Sequence, residues 1–131
     1  MPPLRLLRPA NPVVRAVLRS PAHALLSDRL AILSYVGHRS GVEFEIPVRY
    51  AETRDRAFVA IAVRPGRKLW WRSFADSRKA ALLVRRRSLP VVGRLAVGES
   101  RERAAAAYLA RYPRSASPVR DAAIVVFERT G

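Results

Sequence analysis

The sequence predicts a small, mainly β domain with some α content: about six mostly antiparallel strands that curl into a barrel, with helices at its periphery. Apolar, β-rich runs follow one another along most of the chain, separated by short polar or basic turns. Longer helical spacing occurs before the first of these runs and again before the last. Pro47 falls inside one run, which implies an edge position or a bulge there.

Taken in order, Leu4-Arg5-Leu6-Leu7-Arg8 is too short to assign. Asn11-Pro12 reads as an N-cap with proline at the first helical position, and Val13, Val14, Val17 and Leu18 share a face opposite Arg15 and Arg19. Ser20-Pro21 restarts a short helix that carries His23. Residues 1–26 therefore form a basic, amphipathic, helical lead-in to a single domain spanning residues 1–131. Such a segment either packs its apolar face on its own domain or lies on an anionic membrane.

The central stretch runs from Leu30 to Tyr50. Two β-rich runs flank Gly37-His38-Arg39-Ser40-Gly41, where both glycines are able to take positive φ and close a hairpin. A polar turn, Glu52 to Arg56, leads to a buried strand from Ala57 to Val63. Arg64-Pro65-Gly66-Arg67-Lys68 is a basic loop, and Leu69 to Phe74 is a short aromatic helix. Lys79 to Arg85 is a strand, Arg85 to Ser88 a basic turn, and Pro90 to Val97 a further strand. Gly98-Glu99-Ser100 opens a helix to about Tyr112, with Ala105, Leu109 and Tyr112 on one face and Pro113 ending it. Asp121 to Arg129 is the last strand.

The chain has 131 residues, half of them apolar, which is enough for a core and too apolar for disorder. It has no cysteine, so disulfides and thiolate metal sites are excluded, in keeping with a cytoplasmic location. No apolar run reaches transmembrane length, and the first residues lack the apolar core of a signal peptide. The formal net charge is +15, and the only lysines are Lys68 and Lys79. That charge favours an anionic partner: a phosphorylated small molecule, an acidic membrane surface or nucleic acid. The arginines are spread along the chain rather than gathered in one arm, which argues against a simple nucleic-acid-binding tail.

The inventory of catalytic patterns is empty. There is no Gly-x-Ser-x-Gly and no Gly-Lys-Ser phosphate loop. His23 and His38 have no ligand cluster near them, which argues against a metal site. Glu43 and Glu45 share a strand face outside any recognisable site, where solvation is their expected role. What remains is basic and aromatic: Arg39, Arg64, Arg67, Lys68, Trp70 and Trp71, beside a turn whose His38, Arg39 and Ser40 offer backbone amides, a guanidinium and a hydroxyl at one corner. Arginines hold phosphates or carboxylates, and tryptophans stack on flat rings. This equipment suits a large anionic heteroaromatic cofactor, and it also suits single-stranded nucleic acid.

Gly37-His38-Arg39-Ser40-Gly41 with Pro47 six positions on resembles the Gly-Arg-Lys-Ser/Thr-Gly…Pro segment of the deazaflavin-dependent nitroreductase and quinone reductase family. The buried strand, the Gly-containing basic loop and Trp70-Trp71-Arg72-Ser73-Phe74 resemble that family's next block. Asn11-Pro12 and Arg111-Tyr112-Pro113 are similar too, so the resemblance covers roughly residues 11–129. It implies a split β-barrel that binds 8-hydroxy-5-deazaflavin coenzyme F420 and transfers a hydride from the reduced coenzyme to a quinone, nitroaromatic or similar acceptor.

On this resemblance, Arg39 and Arg64 serve the groove for the coenzyme's phosphate and polyglutamate tail; the turn's His38 and Ser40 and the loop's Arg67 and Lys68 are expected to extend the same basic cluster. The backbone of Ala62, Val63, Arg64 and Gly66 lies against the deazaflavin ring, near Trp70 and Trp71. No side chain has to act as nucleophile, since the task is to hold donor and acceptor carbons at reacting distance. Two departures stand out: Phe44 where the family often has arginine, and Ser73 where asparagine is common. They leave open FMN instead of F420, or no flavin at all. The alternative readings are a basic nucleic-acid-binding barrel, and a peripheral membrane or interaction protein without redox chemistry, held at the inner face of the membrane.

Overall fold

In the computed structural model, the residues described are 29–130 except 67, 68 and 86. The expectations for residues 1–26, His23 included, and for Arg67 and Lys68 lie outside them. Six strands form a closed antiparallel barrel in the order β1-β2-β3-β6-β5-β4. They are β1 (Leu30–Val36), β2 (Glu43–Glu52), β3 (Phe58–Ala62), β4 (Arg78–Val84), β5 (Arg87–Leu95) and β6 (Ala123–Arg129). Two helices, α1 (Gly98–Arg111) and α2 (Ala116–Asp121), precede β6, and a five-residue 3₁₀ turn, Trp70–Phe74, precedes β4.

Period-two alternation separates two apolar layers. Inward residues such as Leu33, Phe58, Leu82, Val91, Val125 and Phe127 fill the barrel. Outward residues of β2, β3 and β6, among them Ala51, Val59, Ile124 and Val126, meet Ala104, Tyr108 and Tyr112 of the α1 region and Val119 of α2. The barrel is thus plugged by its own side chains, and one flank is covered by helix. Gly93 lies where the interior is tightly packed. A Cβ there would stand 2.6 Å from the Phe74 ring and 2.7 Å from the Phe127 ring.

The expected strands all form, with shifted ends. The turn between β4 and β5 is shorter than Arg85 to Ser88. Val84 pairs with Arg87, so Arg87 and Ser88 already lie in β5. Arg85 takes φ 48°, the left-handed backbone that a two-residue hairpin turn requires. Pro47 lies where β2 pairs with β1 alone, because β3 meets β2 only at Tyr50, Ala51 and Glu52. That is the edge position the proline implied.

Two readings need correction. The buried face of α1 is Ala104, Tyr108 and then Tyr112, spaced by four, with Ala105 and Leu109 flanking it half-buried. The stretch after Pro113, unassigned from the sequence, is a 3₁₀ turn running into α2, and β6 starts at Ala123 rather than Asp121. Pro118 sits in the first turn of α2, where the backbone has no intrahelical N–H bond to lose.

Candidate functional site

Antiparallel order places the β1–β2 turn at the same end of the barrel as the end of β3 and the start of β4. The β1–β2 turn is built by backbone closure: the Gly37 N–H donates to Val42 O at 2.8 Å and the Gly41 N–H to Gly37 O at 3.1 Å. Gly41 holds φ 67°, as a left-handed position demands. Gly37 has a different reason to be glycine. A Cβ there would lie 2.8 Å from the Phe44 ring and 3.0 Å from Ser40 Oγ, so a side chain fits only if that ring moves aside.

The turn is clasped to the aromatic segment. His38 Nδ1 lies 3.0 Å from Ser73 Oγ, and the His38 N–H points to the same oxygen at 3.4 Å. Ser73 is buried, and its carbonyl accepts from Arg78 Nε at 3.0 Å. The Trp71 indole N–H donates to Pro65 O at 2.9 Å, which ties the loop after β3 to the same segment. The structure therefore brings His38, Arg39, Ser40, Arg64, Gly66, Trp70 and Trp71 to one end, with Ala62 and Val63 leading into it.

Within this cluster the groups differ in freedom. Arg39 and Arg64 are exposed, and neither makes an ion pair with a described residue. The amides of Arg39 and Ser40 have no hydrogen-bond partner among the described residues, while those of Gly37, His38 and Gly41 are used. The cradle is thus narrower than five free amides. Arg64 holds φ 58°, a sparsely populated backbone for arginine, at the point where β3 gives way to the loop. Trp70 is half-buried and stacks on Phe127 at 6.5 Å and 17°, so its ring closes the barrel mouth. Trp71 is also half-buried, with the Arg72 guanidinium 5.7 Å from its ring centre.

Phe44 faces inward opposite Tyr35, 5.5 Å away and nearly parallel to it, and remains 39% exposed. Val42 and Leu69 are exposed apolar neighbours at this end. Burial raises the Tyr35 hydroxyl pKa, so it stays neutral at ordinary pH. Glu43 and Glu45 do share the outer face of β2, but Glu45 is buried across from Ser34 rather than solvated. In the sequence Ser73 stands out only as a departure from the resembled family. Its separation from His38, 35 residues along the chain, left no local signal of the contact.

Among the described residues no group of His, Asp and Glu gathers as a metal site, and no helix is long and apolar enough to cross a membrane.

A closed six-stranded antiparallel barrel with a helical flank and a basic, aromatic mouth defines the fold class. No family model matches the chain, and no curated protein matches it. Solved structures do. One is an F420-H2 dependent reductase, FDR-A, 18% identical, matched over 76% of this chain and 94% of that one with a TM-score of 0.64. A second, described as a domain-swapped dimer, is 16% identical over 88% of this chain and 99% of its own, also with a TM-score of 0.64. A third is Atu2129, a protein of unknown function from Agrobacterium tumefaciens strain C58. It is 22% identical over 79% of this chain, with a TM-score of 0.57, and the match spans 49% of its length. The chain has the barrel fold that these proteins share.

Proposed function

We propose that this chain is a deazaflavin-dependent oxidoreductase that passes a hydride from reduced coenzyme F420 to a quinone, nitroaromatic or similar acceptor. The observation that carries the reading is the clasp of His38 to Ser73, which sets the Arg39 turn beside the loop of Arg64 to Gly66. The likeness in fold to an F420-H2 dependent reductase supports it. The residues fit a polyanionic, flat cofactor: two unpaired exposed guanidiniums, two unpartnered amides, and open space beside Gly66, where an added Cβ would meet nothing within 4 Å.

In this reading Arg39 and Arg64, continued by Arg67 and Lys68, hold the tail's phosphate and carboxylates, and His38 and Ser40 shape the turn that presents them. The backbone from Ala62 and Val63 to Gly66 lies along the ring, with Trp71 beside it and Trp70 beneath the site, closing the barrel against water. Bound reduced coenzyme supplies the hydride. The chain's own task is orientation and exclusion of solvent, which is why it needs no nucleophile. Exposed Val42, Phe44 and Leu69 give an apolar acceptor a surface at the same end.

The test is a fluorescence titration of the purified chain with oxidised F420, with FMN in parallel, followed by oxidation of the reduced coenzyme in the presence of menadione. Saturable, salt-sensitive binding of F420 together with menadione-dependent turnover is expected. Preference for FMN would reassign the cofactor. Failure to bind either flavin would sink the redox reading and return the barrel to the nucleic-acid or interaction alternatives.

A further inference from the structure

A well-formed cavity lies elsewhere. A trough of about 790 Å³ runs between α1, the β2–β3 turn and the outer ends of β5 and β6, and shares no residue with the β1–β2 turn or the aromatic segment. The β2–β3 turn lies at the opposite end of the barrel from the β1–β2 turn. Its volume is in the range of small-molecule pockets. It exists because α1 turns short side chains toward the turn: Ala104, Ala107 and Ala110 leave open a space that leucines would fill, over a floor that includes Val59 and Val126.

The trough's rim is basic, and its charges are unequally committed. Arg94 is held by Glu128 at 3.0 Å and by Ser100 Oγ at 2.9 Å. Arg129 is held by Glu52 at 3.5 Å and covers the Phe58 ring at 5.3 Å. These two pairs neutralise two of the three carboxylates on the wall. Arg103 has only a loose, exposed contact with Glu99 at 3.8 Å. Arg54 and Arg56 make no ion pair with a described residue, and Asp55 between them is the one acid left. Arg56 is held at φ 63°, a left-handed backbone uncommon for arginine.

We propose that this trough is a second binding site, independent of the deazaflavin reading, for an amphipathic anion: a carboxylate carried on an apolar body. The apolar part lies along the alanine face of α1, and the carboxylate meets Arg54, Arg56 and Arg103 at the turn. Charge complementarity selects the anion, since Arg54, Arg56 and the loosely paired Arg103 outnumber Asp55, the trough's one unpaired acid. The apolar floor selects against a bare ion, which gains nothing from Ala107 and Val126.

The experiment is calorimetric titration of the full chain with decanoate, with inorganic phosphate and with the neutral amphiphile decyl maltoside below its micelle concentration. Decanoate should bind at least about tenfold more tightly than either control. The double variant Arg54→Gln, Arg56→Gln should lose about tenfold or more in decanoate affinity. Ala107→Trp should abolish it by filling the trough. Should that variant fold poorly, Ala110→Glu, at an exposed helical position, sets a repelling charge at the mouth and should weaken decanoate while leaving the thermal midpoint unchanged. F420 titration should be the same in all of them. Decanoate affinity unchanged across the variants, or phosphate binding as well as decanoate, would overturn the proposal.

Discussion

His38 and Ser73 meet at 3.0 Å through Nδ1 and Oγ, and that contact carries the β1–β4 pairing past the strand ends, tying the β1–β2 turn to the aromatic segment. Ser73 is buried and His38 exposed, so the bond reaches from the barrel mouth to the solvent-facing turn. Ser73→Ala should cost about 0.5–1.5 kcal/mol, the ordinary net value of such a bond, because the released histidine still reaches water. It should also weaken F420 binding by loosening the turn. Thermal unfolding and the fluorescence titration read the two effects separately, and identical values for variant and parent in both would show that the clasp positions nothing.

Arg39→Ala should weaken F420 binding about ten- to a hundredfold, the loss of a charge-assisted contact worth about 1.5–3 kcal/mol. Its exposure means that stability should stay within about 0.5 kcal/mol of the parent. Added salt should weaken the parent's binding more than the variant's, since one screened attraction has been removed. Equal affinity in a folded variant would place the tail elsewhere.

Gly93→Ala tests the packing at the barrel's centre. Both rings that the new methyl would strike belong to fully buried side chains, Phe74 and Phe127, which have no room to retreat. A loss of about 1–3 kcal/mol is expected. Gly37→Ala makes a comparable clash with Phe44, but that ring is 39% exposed and able to swing outward, so its cost should be smaller. Chemical denaturation of the two variants side by side gives the ranking, and the reverse order would contradict this account of the mouth.

Alkaline pH should destabilise the fold through tyrosines. Burial raises the pKa of Tyr35 above its ordinary value of 10.0. Burial likewise raises Tyr108, with Arg49 opposing and Tyr112 adding to the rise. A raised folded-state pKa means that the native chain keeps protons the unfolded chain has released. Stability is therefore full below pH 10 and falls as pH climbs through the folded values. Tyr108→Phe should flatten the decline in thermal midpoint above pH 10. An unchanged slope would mean that Tyr108 ionises without unfolding the chain.

Strand and turn alternation was enough to determine the antiparallel barrel, because period-two burial and short turns are local properties written residue by residue. Pro47 marked its edge for the same reason, since a missing N–H is a local fact. The helix after Pro113 is not legible in the sequence, because Pro118 looks like a breaker until its place in the first helical turn is known. Which face of α1 is buried, why Gly37 and Gly93 lack side chains, and how His38 finds Ser73 depend on partners tens of residues away. Closure of β4 onto β1 and of β3 onto β6 created those contacts. The trough beneath α1 is likewise a product of tertiary structure alone. A run of alanines reads as helix propensity in the sequence, and becomes a space rimmed by Arg54, Arg56 and Arg103 only when the β2–β3 turn is folded against it.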